Sequence, residues 1–426
     1  MEYFPRLVTP NLIRALTWSP VVLLSGPRQC GKTTLCKVLN RDSRLPFDYA
    51  YMSLDDVGLR EFAVDDPVGF VDQLPPNVIL DEVQLSPSIY RPIKMMVDER
   101  REPGRFLLAG STQVALMGEL AESLVGRMRM VQLYPLAQSE IGESESSDGT
   151  PRTTPFLSSV FDRNISATLT QVPRLAHDLA NRIVAGGYPE ARQLSTSDRR
   201  NWHRDYIRTI AYRDIKELTS IRRIDILPNL ATVAAAHTAQ LLNLAEVARH
   251  LDLSRTTVHE YTAIMQNLLI LQFVPPWSNN RLKRTVQSPK LHFVDTGLAC
   301  GLLDLDEDSL WSDRKRLGLM AESFVLQELV RQASWFDGTL GFYHYRDRDR
   351  TEVDIVVEKS GLGIVAIEVK IGATVKDLDF RGIRKLQQNS QNFIAGIVLY
   401  DGEWTRQFGD NLWAIPIARI WETREA

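Results

Sequence analysis

The sequence predicts an α/β fold: a parallel sheet flanked by helices, then a helical region, then a C-terminal α+β domain. Two observations predict it. Up to about Glu140, short apolar runs alternate with polar, helix-like segments, and from about Leu291 strand-like runs return after a long helical stretch. Within the first stretch, residues 21–25, 78–80 and 106–109 are rich in Val, Ile and Leu without a period of two. That is the pattern of strands buried on both faces of a parallel sheet.

The first of these strands runs into Gly26-Pro27-Arg28-Gln29-Cys30-Gly31-Lys32-Thr33, a match to G-x-x-x-x-G-K-[ST], followed by Thr34. The glycines let the backbone wrap tightly, so that its N–H groups converge on phosphate oxygens. A helix expected over 33–39 adds its positive N-terminal end. Strand, loop and helix in that order are the context a phosphate-binding P-loop needs. Lys32 is placed to reach the β- and γ-phosphates of a nucleoside triphosphate, ATP before others, and Thr33 to offer a hydroxyl ligand to Mg²⁺.

The second strand ends in Asp81-Glu82, resembling a Walker B motif. Asp81 is expected to hold Mg²⁺ through water. Glu82 is expected to polarise the attacking water as general base. The third strand ends at Ala109-Gly110-Ser111-Thr112-Gln113. A hydroxyl there, from Ser111 or Thr112, either senses the γ-phosphate or caps a turn. Arg127 and Arg129 follow in Leu124-Val125-Gly126-Arg127-Met128-Arg129. They either supply transition-state charge, in cis or into a neighbouring subunit, or form surface ion pairs.

A composition shift comes next. Residues 143–155 hold several Ser and Thr, Gly149 and two prolines, and read as a mobile linker. From about 171 to 239 the pattern is helical, with Trp202, Tyr206, Ile207 and Ile210 on one core-facing stripe. Residues 243–277 read as helix–turn–helix and strand. Asn243 caps the first helix with Glu246 three positions on, and Val247 and Leu251 point inward. Ser254 caps the second, whose stripe is Val258, Tyr261, Met265 and Leu268. A strand over 270–274 is ended by Pro275-Pro276.

In a winged-helix reading the second helix faces a DNA groove. Its outward residues are then Arg255, Thr256, His259, Glu260 and Gln266. Only one of these is firmly cationic, and DNA affinity rests heavily on phosphate contacts. Arg281, Lys283 and Arg284, where a wing is expected, are the compensating charges. The other reading is a protein-docking surface or an inter-domain brace.

Downstream, 321–332 reads as a helix. Strands over 352–357 and 364–370 are joined by a turn at Ser360-Gly361-Leu362-Gly363, and 394–400 is a further strand. Glu368 and Lys370 share a strand face, and a hairpin brings Asp354 beside Glu368. Two such carboxylates suit Mg²⁺, and a nearby lysine can orient water. Glu322 is a third candidate ligand, from the helix before. This order resembles the PD-(D/E)XK nuclease core. Nuclease chemistry and an inert interaction module both remain open, and an exposed Glu368–Lys370 pair would by itself stabilise little.

Composition narrows the setting. The 426 residues carry a net charge of -3, with 44% apolar and 24% charged residues, so no global field draws the chain to nucleic acid or membrane. Basic surface must be local, as at 281–284 and at Arg314-Lys315-Arg316. Three cysteines, Cys30, Cys36 and Cys300, make no disulfide framework and no zinc spacing. With no signal peptide and no apolar run near the roughly 18 residues of a membrane span, a soluble cytoplasmic protein is expected.

Several motifs together look like a family of prokaryotic AAA+ ATPases with a C-terminal domain of unknown function. They are Tyr3-Phe4-Pro5-Arg6, the loop from Gly26 to Thr34, Leu80-Asp81-Glu82-Val83-Gln84, Gly110-Ser111, Gly126-Arg127, and Gly186-Gly187-Tyr188-Pro189-Glu190. Asp295-Thr296-Gly297-Leu298, Glu322-Ser323-Phe324-Val325, and Glu352-Val353-Asp354 with Glu368-Val369-Lys370 match as well. The resemblance implies an AAA+ domain over 1–140, a linker over 141–172, a helical and winged-helix region over 173–290, and a restriction-endonuclease-like domain over 291–426. It implies ATP and Mg²⁺ as ligands, with a nucleic acid or a protein as partner and a subunit neighbour for any arginine finger.

Overall fold

The computed structural model describes residues 3–110, 124–142, 155–165, 171–210, 224–280, 284 and 288–421. They form two compact units, Met1–Pro135 with Asn267–Leu269, and Leu136–Gln266 with Ile270–Ala426. Among the described residues no helix is long and apolar enough to cross a membrane.

The first unit is a parallel five-stranded sheet. Its strands are β1 (Val21–Ser25), β2 (Ala50–Ser53), β3 (Val78–Asp81), β4 (Phe106–Gly110) and β5 (Met128–Gln132), in the order β2-β3-β4-β1-β5. β1, β3 and β4 are buried along their whole length, which is why they lack an apolar/polar period. Their side chains alternate between two cores. Val21, Leu23, Val78, Leu80, Phe106 and Leu108 pack with Ala63, Phe70, Tyr90, Ile93 and Val97. Val22, Leu24, Ile79, Leu107 and Ala109 pack with Leu12, Leu16, Leu35, Cys36 and Leu39 on the opposite face. Helices therefore cover both faces, as the sequence predicted.

The order of the strands positions the site. β4 lies between the P-loop strand β1 and the acidic strand β3. Ser25 pairs with Gly110 and Leu80 with Leu108, so the three strands deliver their C-terminal ends to one edge. Ligands of open parallel sheets collect at that edge.

The second unit holds two sheets. A three-stranded antiparallel sheet runs β6-β8-β7, from β6 (Gln240–Leu241), β7 (Leu271–Val274) and β8 (Lys290–Phe293). Two helices, Leu244–Leu251 and Arg255–Asn267, fall between β6 and β7. The caps are the expected ones: Asn243 accepts from the Glu246 N–H at 3.3 Å, and Ser254 from the Thr257 N–H at 3.0 Å. Val258, Tyr261 and Met265 are buried, while Arg255, Thr256, His259, Glu260 and Gln266 face solvent.

A six-stranded mixed sheet follows, ordered β13-β14-β12-β11-β10-β9. Its strands are β9 (Leu340–Arg346), β10 (Glu352–Lys359), β11 (Gly363–Lys370), β12 (Phe393–Tyr400), β13 (Arg406–Gly409) and β14 (Leu412–Pro416). The expected β10–β11 hairpin forms, antiparallel, with Ile355 opposite Ile367. The helix foreseen over 321–332 is longer, Arg314–Ala333, because Asp313 caps it by accepting from the Arg316 N–H at 3.0 Å. Arg314, Lys315 and Arg316 are thus its first turn and not a loop.

A buried charged knot ties this unit together. Asp295 and Glu328 are 0% exposed and Arg331 is 3% exposed. Arg331 donates to the Leu136 carbonyl and to Glu328 at 2.8 Å each, and to Asp295 at 3.1 Å. Glu328 also accepts from the Gln138 N–H at 2.9 Å, and Asp295 from the Gly187 N–H at 2.7 Å. Gly186 has φ +64°, and a Cβ there would lie 2.3 Å from Asp295 Oδ1. The Gly186-Gly187 and Asp295-Thr296-Gly297 motifs, separate in sequence, are two sides of this one knot.

Candidate functional site

The P-loop is closed by its own backbone and by a distant arginine. Gly31 sits at φ +103°, a conformation that glycine adopts without the cost of a Cβ. The helix begins one residue earlier than expected, at Lys32, and runs to Leu39. A Cβ on Gly26 would lie 2.2 Å from the Leu133 carbonyl oxygen, so the chain just after β5 holds the loop from behind. Arg6 fastens the other side, donating to the Cys30 carbonyl at 2.8 Å and to the Tyr134 carbonyl at 2.6 Å. Its clamp role was not legible in the sequence, although Tyr3-Phe4-Pro5-Arg6 marked the segment.

Lys32 is only 5% exposed. Its ammonium donates to the Gly26 and Pro27 carbonyl oxygens at 2.9 and 2.8 Å. The charge is thereby held inside the curl of the loop, where phosphate oxygens would converge. Thr33 is half-buried, and Arg28, Gln29 and Thr34 line the outer part of the loop.

At the end of β3, Asp81 is 1% exposed. Its oxygens accept from the Tyr51 hydroxyl and from the Glu82 N–H, both at 3.0 Å. Burial and the Asp81 charge push the Tyr51 hydroxyl up, so it stays a donor. The same two causes push the Cys36 thiol up, which makes it packing and not a nucleophile. Glu82 has φ 55° and ψ 39°, a left-handed backbone that costs a side-chain-bearing residue roughly 1–2 kcal/mol. Such strain gathers at functional positions. Gln84 donates to the Glu82 carboxylate and fixes its direction.

Two further members were expected, a hydroxyl from Ser111 or Thr112, and Arg127. Ser111, with Thr112, lies outside the described residues. Arg127 forks onto Asp98, with Nη2 to Oδ2 at 3.0 Å, and also donates to the Val125 carbonyl at 3.1 Å. In this structure Arg127 is paired with Asp98 at the surface.

In the second unit, Glu322, Asp354, Glu368 and Lys370 do converge, but around a residue the sequence did not single out. Lys290 of β8 donates to Glu322 at 2.8 Å and to Asp354 at 3.4 Å. Asp354 also accepts from the Val369 N–H at 3.0 Å, and Lys370 donates to Glu368 at 2.8 Å. Burial pushes Lys290 down, yet Glu322 and Asp354 more than reverse this and hold it charged. Burial, then Asp354, push Glu322 well above the usual carboxylate range, against the pull of Lys290. Buried His292 is held neutral and meets Ser323 Oγ at 2.9 Å.

Glu322, Asp354 and Glu368 were candidate Mg²⁺ ligands of a possible nuclease-like site. An ammonium stands between Glu322 and Asp354, and among the described residues no group of three or more His, Cys, Asp or Glu is arranged to hold a metal ion. Lys290 was invisible to motif reading because it comes from another sheet, 64 residues before Asp354. Arg284, expected as a wing charge, pairs with Glu358 at 2.6 Å and lies over the Tyr343 ring at 4.6 Å. It braces β9 and β10, while Arg281 and Lys283 lie outside the described residues.

Burial and Asp354 push the Glu368 carboxyl from 4.5 up to about 7, against the pull of Lys370. In that window the folded state keeps a proton that the unfolded chain has released, so this group makes stability fall as pH rises. Glu368→Gln is expected to flatten that fall, read from urea midpoints at about pH 5 and about pH 7.5. An unchanged difference between the two midpoints would contradict the assignment.

Comparisons with known proteins match three stretches of the chain. A family described as an AAA domain matches residues 19–142. Two families described as domains of unknown function, DUF8612 and DUF4143, match residues 176–309 and 317–420. Uncharacterized protein Mb2031c of Mycobacterium bovis and Uncharacterized protein Rv2008c of Mycobacterium tuberculosis are each 30% identical over 416 residues, which is 97% of this chain and 83% of theirs. Among solved structures, AMPPCP-bound DnaA from Aquifex aeolicus is similar at 12% identity and a TM-score of 0.25, over 61% of this chain and 86% of that one. That overlap is too low to carry an argument.

Proposed function

The chain belongs to the family of these two mycobacterial proteins and carries an AAA-type P-loop ATPase domain, and from that premise we propose that it hydrolyses ATP as a switch whose partner is a nucleic acid. One observation carries the hydrolysis. The loop that carries Lys32 leaves β1, and the Asp81-Glu82 pair ends β3, at the same edge of one parallel sheet with only β4 between the two strands.

The donor set fits a magnesium nucleotide. Thr33 and Asp81 offer hard oxygens, which Mg²⁺ prefers, and the loop from Gly26 to Thr34 offers a closed curl of backbone with a buried ammonium. Mg²⁺, when bound, supplies positive charge against the phosphate oxygens. Lys32 exchanges the Gly26 and Pro27 carbonyls for β- and γ-phosphate oxygens. Tyr51 and the Glu82 N–H keep Asp81 oriented as the charge around it changes. Glu82 takes a proton from the attacking water, aimed by its fixed backbone and by Gln84.

Glu82→Gln is expected to bind ATP yet turn it over at least about 10²-fold more slowly, the usual scale of a lost general base. Filter-retained nucleotide and phosphate release measure the two properties. Turnover at the unmodified rate would remove Glu82 from the mechanism.

The helix Arg255–Asn267 and the sheet β6-β8-β7 support a winged-helix reading, with Arg255, Thr256, His259 and Gln266 on the outward face beside the opposing charge of Glu260. The test is ATPase turnover with and without DNA or RNA, together with salt-dependent binding. Stimulation and a negative salt slope support the proposal. No effect of either nucleic acid contradicts it.

A second reading is favoured by Lys290. With an ammonium already paired to Glu322 and Asp354, the C-terminal domain acts as an inert module that docks a protein, as in a signalling or antitoxin-like ATPase. Under this reading Mg²⁺-dependent cleavage of DNA or RNA is absent. Cleavage that disappears in both Asp354→Ala and Lys370→Ala would reinstate a nuclease.

A further inference from the structure

We propose a second anion site, built for a phosphate-bearing ligand, in a polar cavity of about 630 Å³ within the second unit. It is distinct from the P-loop and from the Lys290 cluster. Its wall carries Arg182, Arg192 and Arg199, with Gln138, Ser139 and Trp421. Among the described lining residues Asp178 is the one carboxylate, and it is committed to Arg182 at 2.6 Å.

The guanidinium groups are held in place, Arg182 by Asp178, and Arg192 and Arg199 by backbone carbonyls and, among the described residues, by no carboxylate. Arg182 donates to Gln138 Oε1 at 2.7 Å and lies 5.6 Å from the centre of the Trp421 ring. Arg192 donates to the Gly186 carbonyl at 3.1 Å, and Arg199 to the Ala191 and Leu194 carbonyls at 3.1 Å each. Burial lowers the Arg192 pKa, and repulsion from Arg199 and Arg182 adds to it, offset in part by Asp295 and Glu328 behind the wall. Burial likewise lowers Arg199, with Glu307 opposing.

Two further polar groups point to a ligand. Gln138 Nε2 and Ser139 Oγ are buried and have no hydrogen-bond partner among the described residues, although both side chains line the cavity. Buried donors without partners are costly. A phosphate supplies what is missing: negative charge for several guanidinium groups and acceptor oxygens for an amide and a hydroxyl. The cavity also exceeds a lone ion and has room for a phosphate carried by a nucleotide or by a nucleic-acid backbone.

The experiment uses the full chain with Lys32→Ala, which weakens competing phosphate binding at the P-loop, so that dependence on Arg199 identifies the second site. Calorimetry with inorganic pyrophosphate, ADP and a short single-stranded DNA reads the site. At least one of them is expected to bind, and Arg199→Gln to weaken it more than about tenfold, the scale of one charge-assisted hydrogen bond. Arg199→Lys should recover part of the loss. Asn181→Asp, at the exposed rim, should weaken binding as well and keeps the test valid if Arg199→Gln does not fold. ADP binding tighter than pyrophosphate supports a nucleotide ligand, and DNA binding tighter than both supports a backbone phosphate. Binding by none of the three, or affinities unchanged in both Arg199→Gln and Asn181→Asp, overturns the proposal. Because Lys32 is already removed, that failure leaves the ATPase assignment standing.

Discussion

Lys32→Ala is expected to abolish ATP hydrolysis and to weaken nucleotide binding. The side chain is 5% exposed and its ammonium is held by the Gly26 and Pro27 carbonyl oxygens. Bringing a triphosphate into the loop replaces two neutral acceptors by charged ones, and charge-assisted bonds are about twice as strong. Most of that gain grows as charge shifts toward the transferred phosphate, and the loss of one such contact slows turnover by about 10²–10³-fold. Phosphate release and nucleotide affinity measured on the same preparation separate the effects. Unaltered turnover in the variant would remove the loop from the chemistry.

The largest expected effect on stability comes from Arg331→Met. Arg331 is the cation between Asp295 and Glu328, all within the buried knot. Burial already pushes Glu328 up, and Arg331 is the main group pulling it back. Removing the cation strands two carboxylates, and breaking a buried pair in this way costs about 3–5 kcal/mol. Unfolding by urea should show that loss, together with a fall of roughly 10 °C in Tm. Adding Asp295→Asn should cost less than the sum of the single changes, because the stranded charge is then gone. A loss within experimental error in Arg331→Met would show that the knot does not hold the unit together.

The two predictions sit at opposite ends of what could be read beforehand. The P-loop was legible because its function depends on neighbours in sequence: Gly31, Lys32 and Thr33 must follow one another for the backbone to curl. The buried strands β1, β3 and β4 were legible because burial on both faces leaves an unalternated apolar run. The caps at Asn243 and Ser254 were legible because a side chain reaches only three residues on. The knot was not, since Gly186, Asp295 and Arg331 meet only after the chain has folded. The Gly186 and Asp295 motifs stood out as a resemblance without a physical role, and Arg331 stood in none of the motifs.

Charged residues carried the least information about their own partners. Arg127, Arg284 and Lys290 each have long, flexible side chains, and a strand or loop position does not say which carboxylate lies within reach. Arg127 found Asp98, Arg284 found Glu358, and Lys290 found Glu322 with Asp354. A cluster that reads as acidic along β10 and β11 is therefore neutralised from a different sheet.

By itself the sequence determined the α/β class of the first unit, its nucleotide loop, the acidic strand end and the β10–β11 hairpin, because each rests on local periodicity or on contiguous residues. Only the tertiary structure decided the β2-β3-β4-β1-β5 order, the Arg6 clamp, the Asp295–Arg331–Glu328 knot and the ammonium among the C-terminal carboxylates. Those depend on pairings across tens to hundreds of residues, where electrostatics acts through space and the chain order leaves no trace.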